Sequence, residues 1–150
     1  VSPAWLAARL DRPSVRILDV RVAALPRDGG TKKSTRERGP APPYRDGHVP
    51  GAVPLDVHAQ LFDARGDVVT APELAMTMSA LGVGDGDTVV LVDEGRPDRA
   101  LAAAWALVRY GHRDVHVLEG GHARWVAEGR PVARDVVRHP PASFTAKVQR

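Results

Sequence analysis

The acidic residues Asp93, Glu94 and Asp98 stand where a reactive group is most readily placed in this chain. They share a short loop, Asp93-Glu94-Gly95-Arg96-Pro97-Asp98, set between the apolar run Thr88-Val89-Val90-Leu91-Val92 and an Ala-rich stretch from about Arg99 to Tyr110. The run reads as a parallel strand buried on both faces, and the stretch as a helix. In open parallel sheets, ligands bind beyond the carboxyl ends of the strands. A tight loop there turns backbone N–H groups inward and adds the positive end of a helix dipole. Those donors hold anions and lower the pKa of a thiol. The chain has no cysteine, so no thiolate can occupy the cradle. Two readings remain open. One carboxylate fills the cradle, where a helix N-terminus stabilises it by about 0.3–1 kcal/mol, or all three side chains cap the helix or face solvent.

Other chemistries fail on spacing. Asp93 and Glu94 are neighbours in sequence, which does not place two carboxylates across a substrate. An aspartyl-phosphate site would want a second acidic residue, a downstream Ser or Thr and a Lys, and these are not evident. The six histidines are scattered; His112 and His116 straddle a helix stop and a strand, so they share no helical face for a metal. There is no nucleophile elbow and no phosphate-loop lysine motif. No metal and no cofactor is expected. Trp5, Trp105 and Trp125 are assigned to packing.

The elements that must position the loop alternate. Ser2-Pro3 reads as an N-cap and first helical residue, opening a helix through Leu6 and Leu10. Val15 to Val20 is a strand, and Gly51 to Leu55 a brief one, placed at an edge by Pro54. Thr70-Ala71-Pro72-Glu73 matches a capping box ahead of Leu74, Met78 and Leu81. Val115 to Leu118 is a further strand, and Ala123 to Glu128 a last short helix. This order predicts an α/β domain with a mostly parallel sheet flanked by helices.

At 150 residues and 43% hydrophobic composition the chain suits one domain. No apolar run approaches the roughly 20 residues that span a bilayer, so no membrane partner is expected. Val1-Ser2-Pro3-Ala4-Trp5 has no leader pattern, and a cytoplasmic location is the default expectation. The net charge of +3 is concentrated between Arg27 and Arg38, where Lys32, Lys33 and Arg36 also lie, against Asp28 and Glu37. No aromatic residue interleaves with these charges to stack on bases. Residues 22–43 therefore read as a long, basic, flexible loop, and nucleic acid is not the expected partner.

Several segments, in order, resemble the signatures of rhodanese-homology domains. Ile17-Leu18-Asp19-Val20-Arg21 is similar to their opening strand. Tyr44-Arg45-Asp46-Gly47-His48-Val49-Pro50-Gly51-Ala52-Val53 resembles their Gly-His-Ile-Pro-Gly-Ala signature, with Val for Ile. Thr88 to Val92 and the loop after it are similar to the active-site strand and loop. Tyr110-Gly111-His112, then Val115 to Gly121 and Trp125, resembles the closing section. The resemblance covers about residues 1–132 and implies a three-layer rhodanese-like fold.

What it implies for function turns on one departure. Active members carry a cysteine at the start of the loop. Counting from the strand that position is Asp93; counting back from Gly111 it is Glu94. Arg99 corresponds to the arginine near the end of the loop. Asp93, Glu94, Gly95, Arg96, Pro97, Asp98 and Arg99 thus form a vestigial active-site loop with no catalytic residue. Asp19, Arg21, Gly47, His48, Pro50 and Gly51 form the structural motif. Asp19 and Arg21 could bind a ligand or brace neighbouring loops; His48 could carry a proton or brace its own loop. Among family members, the chain is most similar to the first, non-catalytic domain of tandem thiosulfate or mercaptopyruvate sulfurtransferases. Residues 133–150 resemble the connector to a second domain, which implies that these 150 residues belong to a longer protein. The expected partner is that catalytic domain, covalently joined, facing an exposed surface more apolar than a monomer's. The alternative is a free-standing inactive module for protein interaction or regulation.

Overall fold

The computed structural model describes residues 1–21 and 42–148. Its sheet holds β1 (Val15–Asp19), β2 (Val53–Pro54), β3 (Thr88–Val92) and β4 (Val115–Val117) in the spatial order β2-β1-β3-β4. All pairings are parallel, with Asp19 opposite Val92 and Leu91 opposite Val117. The expected central strand is β3, an inner strand, and Pro54 lies on the edge strand, where its missing N–H costs no ladder bond.

Side-chain alternation divides the core in two, as a sheet buried on both faces requires. Leu18, Val89 and Leu91 pack with Leu74, Met78, Ala103 and Leu107 on one face. Ile17, Val90 and Val92 pack with Leu6, Tyr44 and Trp125 on the other. The first layer is built by α3 (Val57–Gln60), α4 (Ala71–Ala80) and α5 (Asp98–Arg109). The second is built by α1 (Pro3–Ala7), α2 (Pro42–Asp46) and α6 (Gly121–Ala127). The fold is therefore α/β and three-layered. Among the described residues no helix is long and apolar enough to cross a membrane.

The caps expected from sequence are present. Ser2 accepts from the Trp5 amide, and Thr70 and Glu73 close a reciprocal capping box. Several boundaries differ, with β1 ending at Asp19, β2 confined to Val53–Pro54 and the last helix running from Gly121 to Ala127. Helix α1 stops at Ala7, short of Leu10, and β4 ends at Val117. Residues 22–41 of the basic loop lie outside the described residues, but Pro42 and Pro43 open α2. Composition alone concealed that helix, because proline is a breaker in a helix interior and acceptable in a first turn.

The connector-like tail is fastened along the domain. Ala133 pairs with His48 in an antiparallel bridge, and the Val137 amide donates to the Tyr44 hydroxyl at 3.1 Å. Ser79 and Ala142 are joined through both backbone and side chain. Asp85 takes bonds from the amide and hydroxyl of Thr145. Phe144 is buried in the core beside His112, and the Lys147 amide donates to the Tyr110 carbonyl at 2.9 Å.

Candidate active site

Strand β3 ends at Val92 and delivers Asp93 to the carboxyl edge of the sheet. The Asp93 side chain is 3% exposed. Its Oδ1 accepts from the Glu94 amide at 2.8 Å. Its Oδ2 accepts from the amides of Arg99 at 2.8 Å and Ala100 at 3.0 Å. Those last two are orphan donors of the first turn of α5, the ones an N-cap side chain ordinarily satisfies. The residue at that N-cap is Pro97, which makes no side-chain cap bond. Asp93 therefore caps the helix from across the loop. Of the two sequence readings, cradle filling and helix capping, the same carboxylate does both.

Glu94 and Asp98 are exposed, as are Gly95, Arg96 and Pro97. The Arg99 guanidinium lies 3.9 Å from Oδ1 of Asp93, and Arg96 pairs with Asp98 at 3.9 Å in solvent. A pocket of about 470 Å³ is lined by His58 and by Asp93 to Arg96, Asp98 and Arg99. A second, of about 250 Å³, lies between the loop, Leu101 and the Leu118 to Gly121 turn. Mixed charges surround the rim of the larger pocket, Asp93 is engaged by three amides, and no thiol can enter the site because the chain has no cysteine.

The loop rests on α6. The His122 amide donates to the Asp93 carbonyl at 2.8 Å. Gly121, at φ +59°, permits this approach, since a Cβ would stand 1.7 Å from the Glu94 carbonyl oxygen. His122 is buried beside Arg21, and burial followed by the Arg21 charge pushes its imidazole below the ordinary value. The sequence reading gave no site role to His122, His58 or Leu101, and named Gly121 only within the closing segment. The Gly120-Gly121 pair was the available signal, because adjacent glycines mark a close backbone approach.

The other sequence-designated residues gather one strand away. The Arg21 guanidinium clasps Asp19, with Nη2 at 2.7 Å from Oδ2 and Nε at 3.0 Å from Oδ1. The same Nη2 donates to the Gly47 carbonyl at 2.7 Å. These are charged hydrogen bonds that brace neighbouring loops. His48 is fully buried, stacked on Tyr44 with ring centroids 3.9 Å apart, and its Nδ1 is 2.9 Å from the Tyr44 carbonyl. The Nδ1 contact ties the ring to its own loop, while Nε2 is buried with no hydrogen-bond partner among the described residues, 3.7 Å from Asp135. Val49-Pro50-Gly51-Ala52 closes a turn through Ala52 N–H to the Val49 carbonyl at 3.0 Å, with Gly51 at φ +85°. Pro at the second and Gly at the third position are the residues a type II turn favours. Of the tryptophans, Trp125 is buried, whereas Trp105 is 54% exposed, which corrects its assignment to packing.

The family profile described as Rhodanese-like domain matches residues 2–128. This chain belongs to the rhodanese-like family. The rhodanese-like chain is 32% identical over 145 residues to the sulfur carrier protein TtuD of Thermus thermophilus, covering 96% of this chain and 45% of that protein. It is 32% identical over 146 residues to the 3-mercaptopyruvate sulfurtransferase of Escherichia coli, covering 95% and 49%. The crystal structure of SseA from Escherichia coli, a 3-mercaptopyruvate sulfotransferase, superposes with a TM-score of 0.79 at 29% identity, covering 99% of this chain and 55% of that one. The rhodanese-like chain thus spans about half the length of these relatives.

Proposed function

We propose that this rhodanese-like chain is the non-catalytic domain of a thiosulfate or 3-mercaptopyruvate sulfurtransferase, supporting a catalytic domain that carries the cysteine. The observation that carries the reading is the Asp93 carboxylate, held by three backbone amides where a thiolate would otherwise rest. A carboxylate cannot carry sulfane sulfur as a persulfide, and the chain has no cysteine to do so. The register then falls on Asp93, with Glu94 to Arg99 as the remainder of the vestigial loop. Relatives about twice as long support a second domain as the partner. In that assembly this half would hold geometry and form one wall of the cleft.

The test is sulfur transfer by the purified chain, with thiosulfate or 3-mercaptopyruvate as donor and cyanide as acceptor. Background turnover is expected. Turnover matching an authentic sulfurtransferase would overturn the reading, as would a gene product that contains no cysteine-bearing second domain.

A further inference from the structure

Helix α5 has two apolar faces and only one of them is covered. Ala100, Ala103, Ala106 and Leu107 pack on the sheet. Leu101, Trp105 and Val108, spaced four and three residues apart, form a stripe on the opposite side, exposed by 55%, 54% and 43%. From Ala100 to Val108 every residue is apolar, and a helix apolar all round is one built to be buried on all sides. Phe62 stacks on Trp105 with centroids 6.5 Å apart, and the Arg109 guanidinium lies 5.8 Å from the same ring. Aromatic and arginine side chains are the residue types enriched at protein interfaces.

We propose that this outer face of α5 is the docking surface for the cysteine-bearing rhodanese domain of the same polypeptide. The inference rests on the reading above and deepens it by naming the surface. Two observations select this occupant. Leu101 lines the 250 Å³ pocket together with Asp93, Glu94 and Pro97, so a partner on the stripe also overhangs the vestigial loop. The tail, pinned by Phe144 and by the Lys147 amide on Tyr110, brings the last described residues to the C-terminal end of α5. A domain tethered there meets the stripe at high effective concentration, which requires no large interface. Three half-exposed side chains fall short of the about 800 Å² per partner that free complexes bury. The area suits a covalent neighbour better than a second copy of the chain.

The test compares Leu101→Asp/Trp105→Asp with Val126→Asp, an exposed position on α6 across the sheet. In the 150-residue chain Val126→Asp should unfold close to the wild-type temperature, and the double variant should stay folded with a modestly lower one, because it loses the Phe62–Trp105 stacking. In the full gene product, small-angle scattering of the wild type and of Val126→Asp should give the radius of gyration of one compact body, about 19 Å for ~300 residues. The double variant should be at least roughly 3 Å larger as the domains part. A double variant as compact as the wild type overturns the docking surface and leaves the non-catalytic reading standing. A gene product with no cysteine-bearing domain overturns both. A 150-residue chain that dimerises in light scattering, and becomes monomeric in the double variant, overturns the choice of occupant in favour of a second copy.

Discussion

Asp19 and Asp93 close the carboxyl ends of adjacent parallel strands, and both are buried, yet they are neutralised in different ways. Asp19 is clasped by the buried guanidinium of Arg21 and accepts in addition from the Arg21 amide at 3.0 Å. Asp93 is held by backbone amides of its own loop and of α5, with the Arg99 charge 3.9 Å away and about a third exposed. A buried charge held chiefly by one side chain depends mainly on that side chain. A charge held by a helix N-terminus depends on backbone geometry, which persists whatever residue is placed there. The first arrangement braces. The second is a socket, and its present occupant is replaceable.

Breaking each pair separately exposes the contrast. Arg21→Ala strips the guanidinium from buried Asp19, leaving it only the residue-21 amide, and removes the donor to the Gly47 carbonyl, a loss of about 3–5 kcal/mol. Arg99→Ala removes only a long, partly solvated ion pair and should cost less than about 1 kcal/mol. Urea unfolding of the two variants checks this. Losses of similar size would mean that Asp93 relies on its arginine as Asp19 does.

Replacing the occupant sharpens the second half of the comparison. In Asp93→Cys, the amides of Glu94, Arg99 and Ala100 face a sulfur in place of a carboxylate. They should draw the thiol's pKa below its ordinary value of about 8.5 by roughly one unit or more, as at other helix N-termini. Each unit corresponds to about 1.4 kcal/mol of preference for the thiolate. The pH profile of iodoacetamide alkylation reads the value directly, since the chain has no other cysteine. A thiol that titrates at or above 8.5 would show that the loop is only a helix cap.

Much of this arrangement was legible in the sequence. The strands, the Ser2 N-cap and the Thr70–Glu73 capping box follow from short-range patterns, and the Pro50-Gly51 turn from residues that permit few other conformations. Asp19, Arg21 and His48 could be placed at loops, with bracing open beside ligand binding or proton carrying, because charged or polar groups there must find partners. The choice among Asp93, Glu94 and Asp98 was not legible. It depends on which carboxylate lies within 3 Å of the Arg99 and Ala100 amides, a matter of loop path and not of residue type. Helix α2 was hidden by its prolines, and the fastening of residues 133–148 by a composition shared with true linkers. The exposure of Trp105 could not be read either, since an all-apolar helix conceals which face meets the sheet.

His122 lies under both regions and gives the smallest expected effect. Burial is the main cause of its lowered pKa; the Arg21 charge and then His48 add to it, while Asp19 and Glu94 oppose it. In the unfolded chain the imidazole takes a proton near 6.5, and in the folded chain only at lower pH. Between those two points the unfolded state binds more protons, so stability declines as pH falls below about 6.5. His139, lowered chiefly by burial and then by Arg16, adds a decline of the same sign. Replacing His122 by Gln should flatten part of the profile between pH 7.5 and 5.5, and His139→Gln a further part, read as Tm against pH. Because Arg21 is among the causes, Arg21→Ala should also reduce the His122 share of that slope, which joins the brace to the socket by a measurable electrostatic coupling. An unchanged slope in Arg21→Ala, with His122 still present, would show that the two sites are energetically separate.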